Sequence, residues 1–260
     1  LWDLNYTGLA FAPHQERIGY VGSELNESWV RHNGLIAPKD DAFREFIDNI
    51  LTVNSGFPHW RDHRSLPQDV ADIIVLPHFK SAPIYPSSNN YSRIFKGKGR
   101  FKQKEEDIIR KEFGSNSTFI GLNSYIPDRL FTSVTAPVFL RPKYSLFRQA
   151  IQYSNIADVI ANHSGELYFF PIPDFALRAD SSLMVNWIDK EENRYNFMAY
   201  DRNRREMVTL SRNTIRNMIL DHVGTSVNNG NSNKQIIRTL RGNNISWDHS
   251  NNTIQGLFPS

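Results

Sequence analysis

Leu183-Met184-Val185-Asn186-Trp187-Ile188 and, beyond a polar turn at Asp189 to Arg194, Tyr195-Asn196-Phe197-Met198-Ala199 are the residues on which the fold turns. Side chains alternate across a strand, so Leu183, Val185 and Trp187 share one face, and Tyr195, Phe197 and Ala199 share one face of the return strand. The pattern predicts a β-hairpin. Upstream, Leu167-Tyr168-Phe169-Phe170-Pro171-Ile172 reads as a buried strand kept short by Pro171 and Pro173. Downstream the chain turns at Asp201-Arg202-Asn203-Arg204-Arg205. Leu210, Ile215, Met218, Ile219 and His222 then recur at helical spacing, with Gly224 as the expected C-terminal cap. This change of period places the expected folding core within 165–224, a helix laid across an antiparallel sheet.

Working outward, Leu9-Ala10-Phe11 and Ile18-Gly19-Tyr20-Val21-Gly22 are expected short strands, and no signal-peptide pattern opens the chain. From Pro38 a helix is expected, capped by Asp40 or Asp41, with Phe43, Phe46, Ile47, Ile50 and Leu51 on one stripe and an end near Asn54-Ser55-Gly56. Asp72 to Pro77 reads as a buried strand, Gln103 to Phe113 as a short helix capped by Gly114, and Thr118 to Ile120 and Val134 to Leu140 as strands. Lys143 to His163 reads as one helix. Thr225 to Asn233 is rich in Asn, Ser and Gly and reads as a linker, Lys234 to Leu240 as two helical turns. The fold class is therefore α+β: a single core of short, mostly antiparallel strands with three to four packed helices. One globular domain is expected over 1–224, and a polar linker with a docking tail over 225–260, where Trp247, Leu257 and Phe258 are the expected partner contacts.

Composition narrows the function classes. With 260 residues and 40% hydrophobic content the chain can bury a full core, and no apolar stretch approaches the roughly 20 residues of a membrane-spanning helix, so a soluble protein is expected. The absence of cysteine removes disulfides, thiolate nucleophiles and Cys-ligated zinc. A net charge of +3 is mild, so any polyanion argument must rest on clustering. The sequons at Asn5, Asn90 and Asn116 arise readily by chance in an Asn-rich chain.

Such a cluster exists. Lys96, Lys98, Arg100, Lys102 and Lys104 alternate with Gly97, Gly99 and Phe101, and Arg93 precedes them. On an extended strand these five cations project from one face, while the glycines admit a phosphate and Phe95 and Phe101 anchor the far side or stack on bases. A solvated edge strand protected by lysine is the plain alternative, although edge protection needs only one or two charges. Glu105, Glu106 and Asp107 stand next to the ribbon as pairing candidates. Arg202, Arg204 and Arg205 read as a solvated turn.

Two weaker patterns bear on catalysis. His59 and His63 are four apart and would share a helix face, with a third metal ligand to come from Asp62, His78 or elsewhere; the glutamate that follows the first histidine of a hydrolytic zinc helix is replaced by Trp60. Asp221-His222 resembles a carboxylate and base, but His222 falls on an apolar stripe and reads better as a core or capping residue. No lysine follows an acid at the spacing of metal-dependent nucleases, and phosphate-loop, dinucleotide, serine-elbow and zincin motifs are missing.

The leading expectation is a non-enzymatic component of a large assembly, such as a virion or organellar particle, whose basic ribbon touches nucleic acid or an acidic protein partner; no cofactor is expected. The start at Leu1 rather than Met adds the expectation of a processed chain. The alternatives are a metal-dependent hydrolase or nuclease built on His59, Asp62 and His63, and a protein-binding inhibitor anchored by Trp60 and Trp247.

Overall fold

A computed structural model of the protein describes residues 9–12, 17–20, 34–57, 60–97, 99–115, 117–189, 194–227 and 233–257. They fall in two compact units, Leu1–Arg129 and Leu130–Ser260. The chain is α+β, with mostly antiparallel sheets.

In the first unit β1 (Leu9–Ala12) and β2 (Arg17–Tyr20), which overlap the two short strands expected there, pair antiparallel. β3 (Gly34–Pro38), β4 (Phe79–Lys80), β5 (Ile108–Phe113) and β6 (Thr118–Leu122) form a sheet of order β4-β3-β6-β5, in which only β3 and β6 run parallel. α1 (Asp40–Val53) follows β3. It buries Ile47, Ile50 and Leu51, sets Phe43 and Phe46 edge-on to Tyr125, and ends at Asn54 as its spacing predicts. Its N-cap is Lys39 without a side-chain bond, so Asp40 and Asp41 serve the helix dipole from the first turn instead of capping it.

Asp72 to Pro77 is not a strand. α2 (Gln68–Val75) buries Val70, Ala71, Ile74 and Val75, a helical set, and the Gln68 side chain donates to Asp72 at 2.8 Å. Gln103 to Phe113 is not a helix either: a 3₁₀ turn at Glu105–Asp107 leads into β5, because pairing with β6 overrides local propensity. α3 (Asn89–Tyr91) completes this unit. Its core gathers Ile36, Ile84, Tyr91, Ile94, Phe95, Ile120 and Leu122, with Phe101 and Ile108 packed alongside.

In the second unit Val134 to Leu140, read as a strand, contains α4 (Ala136–Phe139). Pro137 sits in the first turn, where its missing N–H leaves no gap. The single helix expected over 143–163 is two, α5 (Ser145–Tyr153) and α6 (Ala157–Ala161), parted at Asn155, whose φ of 55° cannot continue a right-handed helix. β7 (Tyr168–Phe169) and α7 (Asp174–Arg178) follow. β8 (Met184–Asp189) and β9 (Arg194–Asp201) form the predicted hairpin, with Trp187 opposite Tyr195. β10 (Glu206–Thr209) adds a third strand that the sequence reading missed, before α8 (Arg212–Leu220). The described residues hold eight α-helices, more than the three to four expected, and four of them, α1, α2, α5 and α8, reach eight residues.

Gly224 is not a helix cap but lies in β11 (Val223–Ser226). A Cβ there would sit 2.4 Å from the Arg238 carbonyl oxygen, so the strand admits only glycine. Lys234 to Leu240 is also not helical: β12 (Lys234–Thr239), β13 (Asn244–Asp248) and β14 (Thr253–Leu257) complete an antiparallel sheet of order β14-β13-β12-β11-β7. The residues read as linker and tail thus supply most of this sheet, and 228–232 lie outside the described residues. Leu183, Phe197, Ile215, Ile219 and Val223, all from the stretch expected to hold the core, are buried in this unit. No helix among the described residues is long and apolar enough to cross a membrane.

Candidate polyanion interface

The basic ribbon is not a strand, and its cations do not share one extended face. Ser88 caps α3 through Tyr91 N at 3.2 Å, and the chain continues as a π-turn over Ser92–Lys96. That turn drives Ile94 and Phe95 into the core and leaves Arg93 and Lys96 exposed. Gly97 then takes extended backbone so close to the turn that a Cβ would lie 2.7 Å from the Arg93 carbonyl oxygen. The ribbon's glycine therefore serves a close approach of its own backbone rather than a ligand.

From Arg100 onward the alternation by two returns, held by side chains instead of a strand ladder. Gln103 is 1% exposed; its amide donates to the Ile126 carbonyl oxygen at 2.7 Å, accepts from Ile126 N at 3.1 Å, and its own N–H reaches Ile94 O at 2.9 Å. Phe101 turns inward to the His78 ring, with centroids 4.9 Å apart, and lies under Lys80 Nζ at 5.4 Å. Lys102 and Lys104 are left exposed between and beyond these anchors. Arg100 is half-buried, with its Nε 3.7 Å from the Asp128 carboxylate. Lys98 lies outside the described residues. Burial, and then the charge of Arg93, hold the Lys80 ammonium below its ordinary pKa.

Among the described residues Glu105 forms no ion pair with the ribbon. It accepts the Tyr91 hydroxyl at 2.7 Å, and Asp107 accepts from Ser124. Burial and Glu105 together push the Tyr91 phenol up to about 12. Lys96 and Lys111 place their ammonium groups 6.0 and 5.7 Å from the same ring, a feature the sequence spacing did not show because Lys111 comes from β5. Among the described residues Arg93, Lys96, Lys102 and Lys104 form no ion pair. With Phe95 buried and Phe101 packed on His78, neither ring is placed to stack on a base, so charge is what this surface offers.

The other candidates separate. His59 lies outside the described residues. Asp62 caps the 3₁₀ turn His63–Ser65, its Oδ1 accepting from Arg64 N and Ser65 N at 2.9 Å. His63 Nε2 donates to Asp48 of α1 at 2.7 Å. Asp62 and His63 thus have local structural roles, and among the described residues no group of three or more His, Cys, Asp or Glu could hold a metal ion. Trp60, 1% exposed, is a core residue and not a partner anchor.

Asp221 and His222 do not form a dyad. Asp221 accepts from Arg241 at 2.7 Å and Asn243 at 2.6 Å, whereas His222 Nδ1 donates to Phe170 O at 2.9 Å and its ring meets Phe147 edge-on. Burial holds that imidazole below its ordinary pKa. Trp247 is half-buried against Tyr168, Phe170 and His249; Leu257 ends β14 opposite Asn244, and Phe258 lies outside the described residues. In the turn after β9, Asp201 accepts from Asn203 N at 2.8 Å and pairs with Arg204 at 3.6 Å, and Arg205 takes a φ of 56°. Comparison of the chain with protein-family models and with curated proteins gives no match.

Proposed function

We propose that the chain is a non-enzymatic component of a macromolecular assembly, and that it holds a polyanion, foremost the phosphate backbone of nucleic acid, against Arg93, Lys96, Lys102 and Lys104. One observation carries the reading: Phe101 and Gln103 are fixed inward, so Lys102 and Lys104 stand out, and neither forms an ion pair among the described residues. Phe95 is buried and Phe101 packs on His78, so the contact is electrostatic and blind to base sequence. An acidic protein surface offers the same charge in a different spacing, and the experiment separates the two.

The triple variant Lys96→Gln, Lys102→Gln, Lys104→Gln removes charge from exposed side chains and leaves Phe101 and Gln103 in place. Against a double-stranded oligonucleotide of mixed sequence, the wild type binds with an affinity that falls steeply with salt. In the variant the log–log slope falls by about one per lost phosphate contact, up to about three. Binding to polyglutamate but not to the oligonucleotide would assign the surface to an acidic protein. Wild type and variant that bind both polymers equally would refute the reading.

A further inference from the structure

The sheet of the first unit ends in a strand with no neighbour on its outer side among the described residues. β5 closes the order β4-β3-β6-β5, and Ile109 to Phe113 are all exposed, Ile109 by 58% and Phe113 by 50%. At the neck of the β5–β6 hairpin the Gly114 N–H donates to the Ser117 carbonyl oxygen at 2.8 Å. Opposite residues of an antiparallel ladder alternate between pairs that exchange hydrogen bonds and pairs that do not. Phe113 stands opposite Thr118, Glu112 opposite Phe119, Lys111 opposite Ile120 and Arg110 opposite Gly121. Counting back from Gly114, the N–H and C=O groups of Glu112 and Arg110 therefore face β6, and those of Lys111 and Phe113 face outward. A bulge between Ile108 and Arg110 disturbs only the start of the strand. An edge of this kind is a template for another strand.

The outward groups restrict what can pair there. A second β5 laid antiparallel about a twofold axis must set outward-facing residues against one another, so the axis passes through an odd-numbered residue, and Lys111 is the one that centres it. Each Lys111 then exchanges backbone hydrogen bonds with its counterpart. In the same register Arg110 falls opposite Glu112 of the other copy, twice over, at positions where side chains of facing strands come closest. Ile109 falls opposite Phe113, also twice, so the two exposed apolar residues of the strand meet. Within one chain Arg110 Nε already donates to Glu112 at 2.7 Å, which keeps both charges on one face of the strand. The one unfavourable pair is Lys111 with itself, and the Tyr91 ring, 5.7 Å from each ammonium, offsets part of that charge. The strand is thus self-complementary in charge and in apolar contact.

We infer that the outer edge of β5 is a self-association surface, on which a second copy of this chain adds its own β5 antiparallel with Arg110 opposite Glu112. The two four-stranded sheets then join into one of eight strands. The pairing draws on none of Arg93, Lys96, Lys102 and Lys104, and so stands apart from the polyanion reading.

The test is sedimentation equilibrium of the whole protein at low salt, without nucleic acid, from micromolar to millimolar concentration. It is run on the wild type, on Arg110→Glu, on Glu112→Arg, and on an equimolar mixture of the two variants. The wild type is expected to pass from monomer to dimer as concentration rises. Each variant alone sets like charges opposite one another at two places, and its dimer is expected to dissociate about tenfold more readily. The mixture restores opposite charges at both places and recovers a dimer holding one copy of each variant. If a variant does not fold, hydrogen exchange of the wild type decides alone: the amides of Lys111 and Phe113 gain protection as concentration rises, whereas those of Arg110 and Glu112, already bonded to β6, do not. A wild type that stays monomeric throughout, a dimer that both variants leave equally tight, or exchange at Lys111 and Phe113 that ignores concentration overturns the inference.

Discussion

The Nδ1–H of His78 donates to the carbonyl oxygen of Ile36 at 2.8 Å, across 42 residues of chain. This bond ties the end of the α2 segment to the central strand β3 and holds an imidazole inside the core. Because burial lowers its pKa from 6.5 to about 4, the unfolded chain binds this proton more readily than the folded one between those values. The stability it contributes is therefore complete above about 6.5 and is lost as pH falls toward about 4, by roughly 3 kcal/mol in full. His222, also lowered by burial, adds in the same direction. Urea unfolding near pH 7 and near pH 4.5 is expected to show a smaller acid loss in His78→Phe than in the wild type (the pH values being about those of the window). Equal losses would contradict this account.

Gln103 holds the ribbon in place. Gln103→Ala strands both the N–H and the carbonyl of Ile126, and removal of two bonds to a buried segment is expected to destabilise the first unit by about 2–3 kcal/mol. Proteolysis between Gly97 and Lys104 should accelerate in the same variant. A stable variant with unchanged cleavage would show that the clamp does not order the ribbon.

Gly224→Ala tests the close approach of β11 and β12. The added methyl would meet the Arg238 carbonyl oxygen at 2.4 Å and Ile237 Cγ2 at 2.8 Å, so the strands must part. The expected loss is about 1–3 kcal/mol, read as a lower urea midpoint.

Asp174 caps a helix that it does not belong to. Its carboxylate accepts from Leu146 N at 2.9 Å and Ser145 N at 3.2 Å at the start of α5. Asp174→Ala is expected to cost about 1–2 kcal/mol, and Asp174→Asn less, since the amide oxygen still accepts. Equal cost for the two variants would point to charge rather than capping.

Long periodic segments were legible before the structure. The stripe of α1 and the β8–β9 hairpin show their periods openly; α1 buries its stripe and the two strands pair as a hairpin. Short apolar runs misled. Ile73-Ile74-Val75-Leu76 looks like a strand, yet the chain forms α2, because its neighbours Val70 and Ala71 complete a helical face. Ile108 to Phe113 has helix-forming residues but is captured by β6, a partner no local rule names. A signal for the last three strands was present: Gly242, with φ of 99°, and Asn252, with φ of 49°, mark turns whose spacing fits hairpins. At the candidate site, the inward turn of Phe101 and the outward one of Lys102 followed from alternation. The π-turn that removes Lys96 from that alternation, and the arrival of Lys111 beside Tyr91, depend on tertiary packing.

The most direct measurement of the central claim is the composition of the native particle. The wild-type chain and the variant with Lys96, Lys102 and Lys104 changed to Gln are each purified from the source at low salt, and mass, protein partners and nucleic acid are determined together. The account predicts a large complex containing nucleic acid that releases the wild-type chain as salt rises and retains the variant poorly even at low salt. A free monomer without nucleic acid, or equal retention of both chains, would contradict it.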